Sequence, residues 1–300
     1  MLSWLAFLSK PSPRTVRSAA PSEPEPTTSG ASGRPEERNP ATTPSAVSII
    51  NNTPIQVPGG SRRRPPPTPA QKKLYGEKLR FQLVLSAAKT VVKVLHGKQI
   101  PCAIFGGLAC RIYGNPRCPK DVDVLVLHSP QANSLFDRQI KEIIVETDPY
   151  HFYLKVPRDP NATYRILMFR QKPDGYECKV DIVIPGIMYL PNLSPTLLTW
   201  MDRLPLIPYE LLLLHKLQAW DDHRKAVDQW KKDKQYVDAE DVKQLMRLSY
   251  GLRLRTHKPW NNPEIFIEEF CVLTLERVKD FCVAYPECRE GWKLLGFEVD

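Results

Sequence analysis

Between Ile104 and Leu127 the sequence reads IFGGLACRIYGNPRCPKDVDVLVL, and the Asp-Val-Asp in it constrains the chain more than any other feature. An apolar strand pattern runs into Gly106-Gly107, a short helical stretch follows, and a loop delivers Asp121, Val122 and Asp123 into a second apolar strand pattern. Strand side chains alternate between faces, so Asp121 and Asp123 share one face while Val122 and Val124 enter the core. Carboxylates held that close raise each other's pKa and cost stability unless a cation sits between them. Hard oxygen donors of this kind suit Mg2+ or Mn2+. A second stretch, CKVDIVIPG from Cys178 to Gly186, sets Asp181 between Val180 and Ile182 in another apolar strand pattern. A third carboxylate beside the first two would complete a site for two metal ions, about 3.5 to 4 Å apart, that aligns an attacking oxygen with a phosphoryl group. The glycine pair suits that chemistry, because backbone N–H groups at glycine can approach a phosphate and the N-terminus of the following helix favours negative charge.

The order of these pieces, GG-L-A, then R-x-x-x-D-x-D, then a later apolar-Asp-apolar strand, resembles the nucleotidyltransferase superfamily that includes DNA polymerase beta. The likeness runs from about Lys72 to Leu248 and is greatest to minimal members such as abortive-infection toxins and antibiotic adenylyltransferases. The resemblance implies that Gly106 and Gly107 hold a nucleoside triphosphate, that Asp121 and Asp123 bind both metals, and that Asp181 binds the metal that activates an acceptor hydroxyl. It implies charge neutralisation by Arg117, a basic position four residues before the first Asp, and by Lys216, similar to a helical lysine that reaches the triphosphate. Pro119 departs from the pattern, since such proteins often carry Thr two residues before that Asp.

The rest of the chain supplies a consistent frame. A helix is expected from near Ala70 to Gly97, where Leu83, Ala87, Val91 and Leu95 recur every four residues. After the Asp-x-Asp strand, Gln131 to Glu146 reads as a helix, and 150–156 and 163–169 read as strands. Lys172-Pro-Asp-Gly175 has a turn signature that joins the second of these to the strand of Asp181 as a hairpin. Beyond Pro185 the pattern turns helical: from Pro208 to about Trp230, from Asp238 to Leu248, from Pro263 to Ala284, and near Glu287 to Leu295. This order argues for an α+β fold, a mixed sheet with flanking helices followed by a helical C-terminal half. Neither G-x-G-x-x-G nor G-x-x-x-x-G-K-[ST] occurs, so the phosphate-binding folds that carry those motifs lose their main support. The expected organisation is an arm over 1–69, a nucleotidyltransferase-type core over 70–200 and a helical region over 201–300.

Composition matters most for the arm. Of 30 prolines, 14 fall in the first 70 residues, where Trp4 and Phe7 are the only aromatic residues. Such a stretch cannot bury enough apolar surface to offset chain entropy, so about 11–69 is expected to be disordered. The net charge of +9 leaves +5 on the remainder, compatible with a polyanionic partner and equally with a solvated surface. The seven cysteines form no C-x-x-C pair or zinc spacing, which points to a reducing compartment, cytoplasmic or nuclear. The alternative is the mitochondrial matrix, since the first twenty residues hold Lys10, Arg14 and Arg17 and no acid. The run Leu2 to Leu8 is too short to span a membrane.

Two functional classes follow. One is a metal-dependent nucleotidyltransferase that uses Mg2+ or Mn2+ and a nucleoside triphosphate and acts on an acceptor hydroxyl. The other is a non-catalytic nucleotide-binding or protein-interaction module that keeps the fold, a reading motivated by Pro119 and the Pro-rich arm. For the acceptor, Lys231, Lys232 and Lys234 are interleaved with Asp228, Asp233 and Asp238, which weakens a phosphate track. The expected acceptor is a small molecule or a protein, or a short RNA end, ahead of a long RNA.

Overall fold

The computed structural model describes residues 68–129 and 135–299. The expected N-terminal arm, except its last two residues, and the presequence reading lie outside these residues. Helix α1 (Pro69–Gly97) opens on a capping box: Gln71 N–H donates to the Thr68 hydroxyl and the Gln71 side chain accepts from Thr68 N–H. Pro69 stands in the first turn, where its missing N–H costs nothing. From Leu83 onward one stripe of α1 is buried, while its first turns are exposed.

Strand β1 (Cys102–Phe105) is buried along its whole length and leads straight into helix α2 (Gly106–Tyr113), which Gly114 ends at φ 118°. Strand β2 (Asp121–Val126) follows, then α3 (Asp137–Thr147), whose expected start near Gln131 lies outside the described residues. Next come β3 (Phe152–Lys155), β4 (Ile166–Arg170) and β5 (Glu177–Val183). The turn before β5 closes as its sequence predicts, Gly175 N–H donating to Lys172 O at 3.1 Å. Two further strands, β6 (Thr199–Met201) and β7 (Leu204–Leu206), form a hairpin where the sequence pattern predicts helix alone. This corrects the helical reading beyond Pro185: Leu204 and Leu206 are fully buried and extend the sheet instead.

The sheet has seven strands in the order β3-β4-β5-β2-β1-β7-β6. β2 runs parallel to β5 and β1 parallel to β7, while the remaining pairs are antiparallel. The mixed α+β architecture is therefore as the sequence predicts. Its apolar face carries Val122, Val124, Val180 and Ile182, all essentially without solvent contact.

The C-terminal half is helical: α4 (Tyr209–Arg224), α5 (Gln229–Lys232), α6 (Gln235–Arg247), α7 (Ser249–His257), α8 (Glu268–Ala284) and α9 (Arg289–Leu294). The single helix expected from Pro208 to Trp230 is broken after Arg224, where Val227 is fully exposed and gives a continued helix nothing to bury. α8 begins at Glu268, five residues later than expected, with Glu268 and Glu269 in the first turn, where the helix dipole favours acids. Helix α4 is buried on nearly every side, against α2, α6 and α8. Among the described residues no helix is long and apolar enough to cross a membrane.

Candidate active site

The parallel pairing of β2 with β5 sets Asp123 opposite Asp181 and Asp121 opposite Lys179. Adjacent strands lie about 4.8 Å apart and side chains two residues apart share a face, so these four residues form one charged patch on the sheet. Asp121, Asp123, Lys179 and Asp181 are all half-buried, whereas the residues between them are buried on the opposite face. The patch carries three acids and one base. The ammonium of Lys179 lies 2.5 Å from Asp181 Oδ2.

This imbalance appears in the acidities. Burial, then the charges of Asp121 and Asp181, push the Asp123 carboxyl up to about 8. Burial also raises Asp181, against the pull of Lys179. Lys179 is itself held above its ordinary range, because Asp181 outweighs the cost of burial.

Phe105 pairs with Asp123 across β1 and β2, so the strand-to-helix junction lies against the acids. Gly106 there has φ +64°, and a Cβ at this position would overlap the Asp123 carboxylate. Only glycine lets the backbone come so near. A Cβ on Gly107 would lie 3.1 Å from Arg117 Nη2. The glycine pair is thus wedged between a carboxylate and a guanidinium.

Arg117 and Lys216, the two cations expected to neutralise phosphate charge, are each bound to acids of α6. Arg117 donates to Asp241 through two nitrogens, Nε at 2.7 Å and Nη2 at 2.6 Å. Asn115 adds a bond from its side-chain amide to Asp241 at 3.0 Å, and its own side-chain oxygen accepts from Arg117 N–H at 2.9 Å. Lys216 Nζ lies 3.0 Å from Asp241 and 3.2 Å from Asp238, whose other oxygen is 2.6 Å from His223 Nδ1. Burial disfavours the charges of Lys216 and Asp241, yet their partners overcome it: Asp238 and Asp241 hold the Lys216 ammonium well above its usual range, and Lys216 and Arg117 hold Asp241 below the carboxylate range. Lys216 lies near enough that its charge also acts on Asp123.

Lys179, Asp238 and Asp241 lie beside the expected residues, as does Lys234, and the sequence pattern assigns none of the four to the site. Lys179 had a signal, since it precedes Asp181 by two residues on the same strand. Asp238 and Asp241 are three apart on one helix face, a spacing shared with any solvated charged helix. Lys234 lies at the N-cap of α6, its ammonium 4.9 Å from the centre of the Trp230 ring and within electrostatic reach of Asp121 and Asp181.

The donor set fits a hard divalent cation: three carboxylates, two of them with raised pKa, crowd one face with a deficit of positive charge. As the side chains stand, no three His, Cys, Asp or Glu among the described residues are gathered as a metal-holding group. Lys179 takes up part of the charge on Asp181 instead.

No protein-family model matches the chain, and no curated protein matches it. Among solved structures, an antigenic nucleotidyltransferase-like protein from Paracoccidioides brasiliensis is similar at 13% identity and TM-score 0.49, over 73% of this chain and 94% of its own. The antibiotic-resistance factor ANT(2'')-Ia is similar at 14% identity and TM-score 0.32, over 60% of this chain and 98% of its own. The GLD-2/RNP-8 complex matches at 11% identity and TM-score 0.26, over 76% of this chain and 65% of that chain. These likenesses are distant, and the functional reading rests on the side chains described above.

Proposed function

We propose that the chain is a nucleotidyltransferase that moves a nucleoside monophosphate from a nucleoside triphosphate to an acceptor hydroxyl. The observation that carries this reading is the rung shared by Asp123 and Asp181 on parallel strands, with the Gly106 backbone packed against Asp123. In the reaction the acceptor oxygen forms a bond to the α-phosphorus, the bond from that phosphorus to the bridging oxygen of the β-phosphate breaks, and pyrophosphate leaves. Asp121, Asp123 and Asp181 would hold Mg2+ or Mn2+, which when bound neutralises phosphate charge and makes the acceptor hydroxyl more acidic. The hydroxyl proton passes to Asp181 as general base. Gly106 and Gly107 bring backbone close to the triphosphate, and the N-terminus of α2 favours its charge. Arg117, from the loop after α2, and Lys216, from α4, act from behind by holding α6 in place, and Lys216 lends positive potential to Asp123. In-line displacement gains mostly from positioning and electrostatics, so this site needs no protein nucleophile.

The acceptor in this reading is a small molecule or a protein hydroxyl, or a short RNA end. Incubation with each labelled triphosphate and total cell extract, followed by separation of small molecules, protein and RNA, tests both the activity and the acceptor. Labelled product that disappears with Asp123→Ala is the expected result. No pyrophosphate release with any triphosphate and any acceptor would sink the assignment. The second reading, a nucleotide-binding module that has lost the chemistry, is favoured by the Lys179 ammonium on Asp181. Nucleotide binding without pyrophosphate release would select it.

A further inference from the structure

Lys179 and Asp181 are two residues apart on β5, so their side chains leave the sheet on one face, and the parallel register sets them opposite Asp121 and Asp123. The four positions are the corners of one rectangle, three of them acidic and one basic. β5 lies between β4 and β2, away from both edges of the sheet, and Lys179 is paired with Met168 of β4 on its other side. Only 20% of the Lys179 side chain and 16% of that of Asp181 are exposed, and the ammonium lies 2.5 Å from Asp181 Oδ2. A lysine on an outer strand or a loop could swing into water and give up its acid. Lys179 starts from an interior strand, and withdrawing it would strand a largely hidden carboxylate, which is costly. Its charge is a fixed part of the patch.

This placement bears on how many metal ions the acids can take. A site for two ions about 3.5 to 4 Å apart needs its carboxylates to flank both cations. Here Asp181 gives one of its two oxygens to an ammonium that is covalently part of the chain. Three acids against one base leave a charge that one divalent ion balances and a second would overshoot. We propose that Lys179 takes the place of a second metal ion, so that the patch holds one divalent cation beside one lysine where the sequence pattern leads to an expectation of two metals. This inference rests on the nucleotidyltransferase reading and deepens it. In it Lys179 is a positioning residue that acts through Asp181.

The test counts Mn2+ per chain by equilibrium dialysis of the full chain, with and without inorganic tripolyphosphate, and reads the bound ions by electron paramagnetic resonance. Wild type should hold one Mn2+ in both conditions, and Asp123→Asn should lose it. Lys179→Met, close in length but without the charge, should hold two in the presence of tripolyphosphate. Its second ion should bind about 10- to 100-fold more tightly than any second ion in wild type, the range for one charge-assisted pair. The two ions should show the coupled spectrum of manganese ions that share carboxylates. Lys179→Arg keeps the charge and should return the count to one. Thermal melts in chelator establish that each variant is folded, and Lys179→Gln serves in place of Lys179→Met if that variant does not fold. The proposal is overturned if wild type holds two Mn2+ of similar affinity, if the neutral variant holds the same number as wild type, or if wild type holds none that Asp123→Asn removes. A single ion whose count depends on Lys179, without pyrophosphate release from any triphosphate, would uphold this inference and remove the reading beneath it. Two ions in wild type together with pyrophosphate release would do the reverse.

Discussion

Two charged clusters lie within a few side chains of each other, and they are built on opposite terms. Beneath α2, Arg117 and Lys216 meet Asp238 and Asp241 one for one, in a buried network in which almost every polar atom has a partner. On the sheet, Asp121, Asp123 and Asp181 face the single base Lys179, and two of the three carboxyls resist ionisation. The first cluster has settled its charge within the chain. The second has not, and this unmet charge is what makes it a place for chemistry. Both are built on Asp and Lys, and what distinguishes them is the balance of acids and bases.

The sharpest way to break this comparison is to remove one carboxylate from each cluster. Asp123→Asn should lower transfer on the order of 10³-fold or more, because it strips a charged ligand from the reacting centre. Its fold should survive, since it relieves a like-charge contact; a turnover assay beside a denaturant melt checks both halves. Asp241→Ala should do the opposite and cost about 3 to 5 kcal/mol of stability, the range for stranding buried charges, here Arg117 and Lys216. Urea unfolding measures it, and a cost below about 1 kcal/mol would show that the network is wetter than its burial suggests.

Gly106→Ala comes next. The added methyl would meet the Asp123 carboxylate and would occupy a left-handed backbone, a strain of about 1 to 3 kcal/mol. Stability and activity should fall together. Gly97→Ala, where nothing lies within 4 Å, is the control that should leave both in place.

The smallest effect is a slope. A carboxyl whose folded pKa exceeds its unfolded one binds its proton more tightly when folded, so that stability is full below the ordinary value and is lost as pH rises through the folded value. For Asp123 the window runs from 3.8 to about 8, and Asp181 moves the same way. Metal-free protein should therefore lose stability across that window, and Asp123→Asn should flatten the loss. Asp241 has the reverse sign: its depressed pKa contributes stability above the ordinary carboxylate range that disappears in acid. Thermal midpoints from about pH 2 to 9, with and without Mg2+, separate the two.

How much of this could be read from residues alone follows the range of the interactions. The two-residue period of a strand reveals that Asp121 and Asp123 share a face, and the Lys172–Gly175 turn reveals the hairpin that brings in β5, because both signals are local. The β6–β7 hairpin has only three residues per strand, and its turn places Asp202 and Arg203 at positive φ, a job that Asn or Gly usually signals. It therefore read as part of a helical region. What the sequence conceals most is the pairing of Arg117 and Lys216 with acids of α6. Their partner Asp241 lies 124 residues beyond Arg117, and no periodicity reports a contact of that range. Lys234 reads in the sequence as one lysine interleaved with Asp228, Asp233 and Asp238, which weakens a phosphate track.

Strand β1 is buried along its length, hydrogen-bonded to β2 on one side and to β7 on the other, and passes into α2 through one left-handed glycine without a connecting loop. The amide hydrogens of Cys102 to Phe105 should therefore be among the slowest to exchange. The floor of the site is then expected to open with the fold as a whole. In a denaturant titration the ability to hold nucleotide and the fold itself would vanish at one midpoint, and ligand binding would then report global stability for any substitution outside the site.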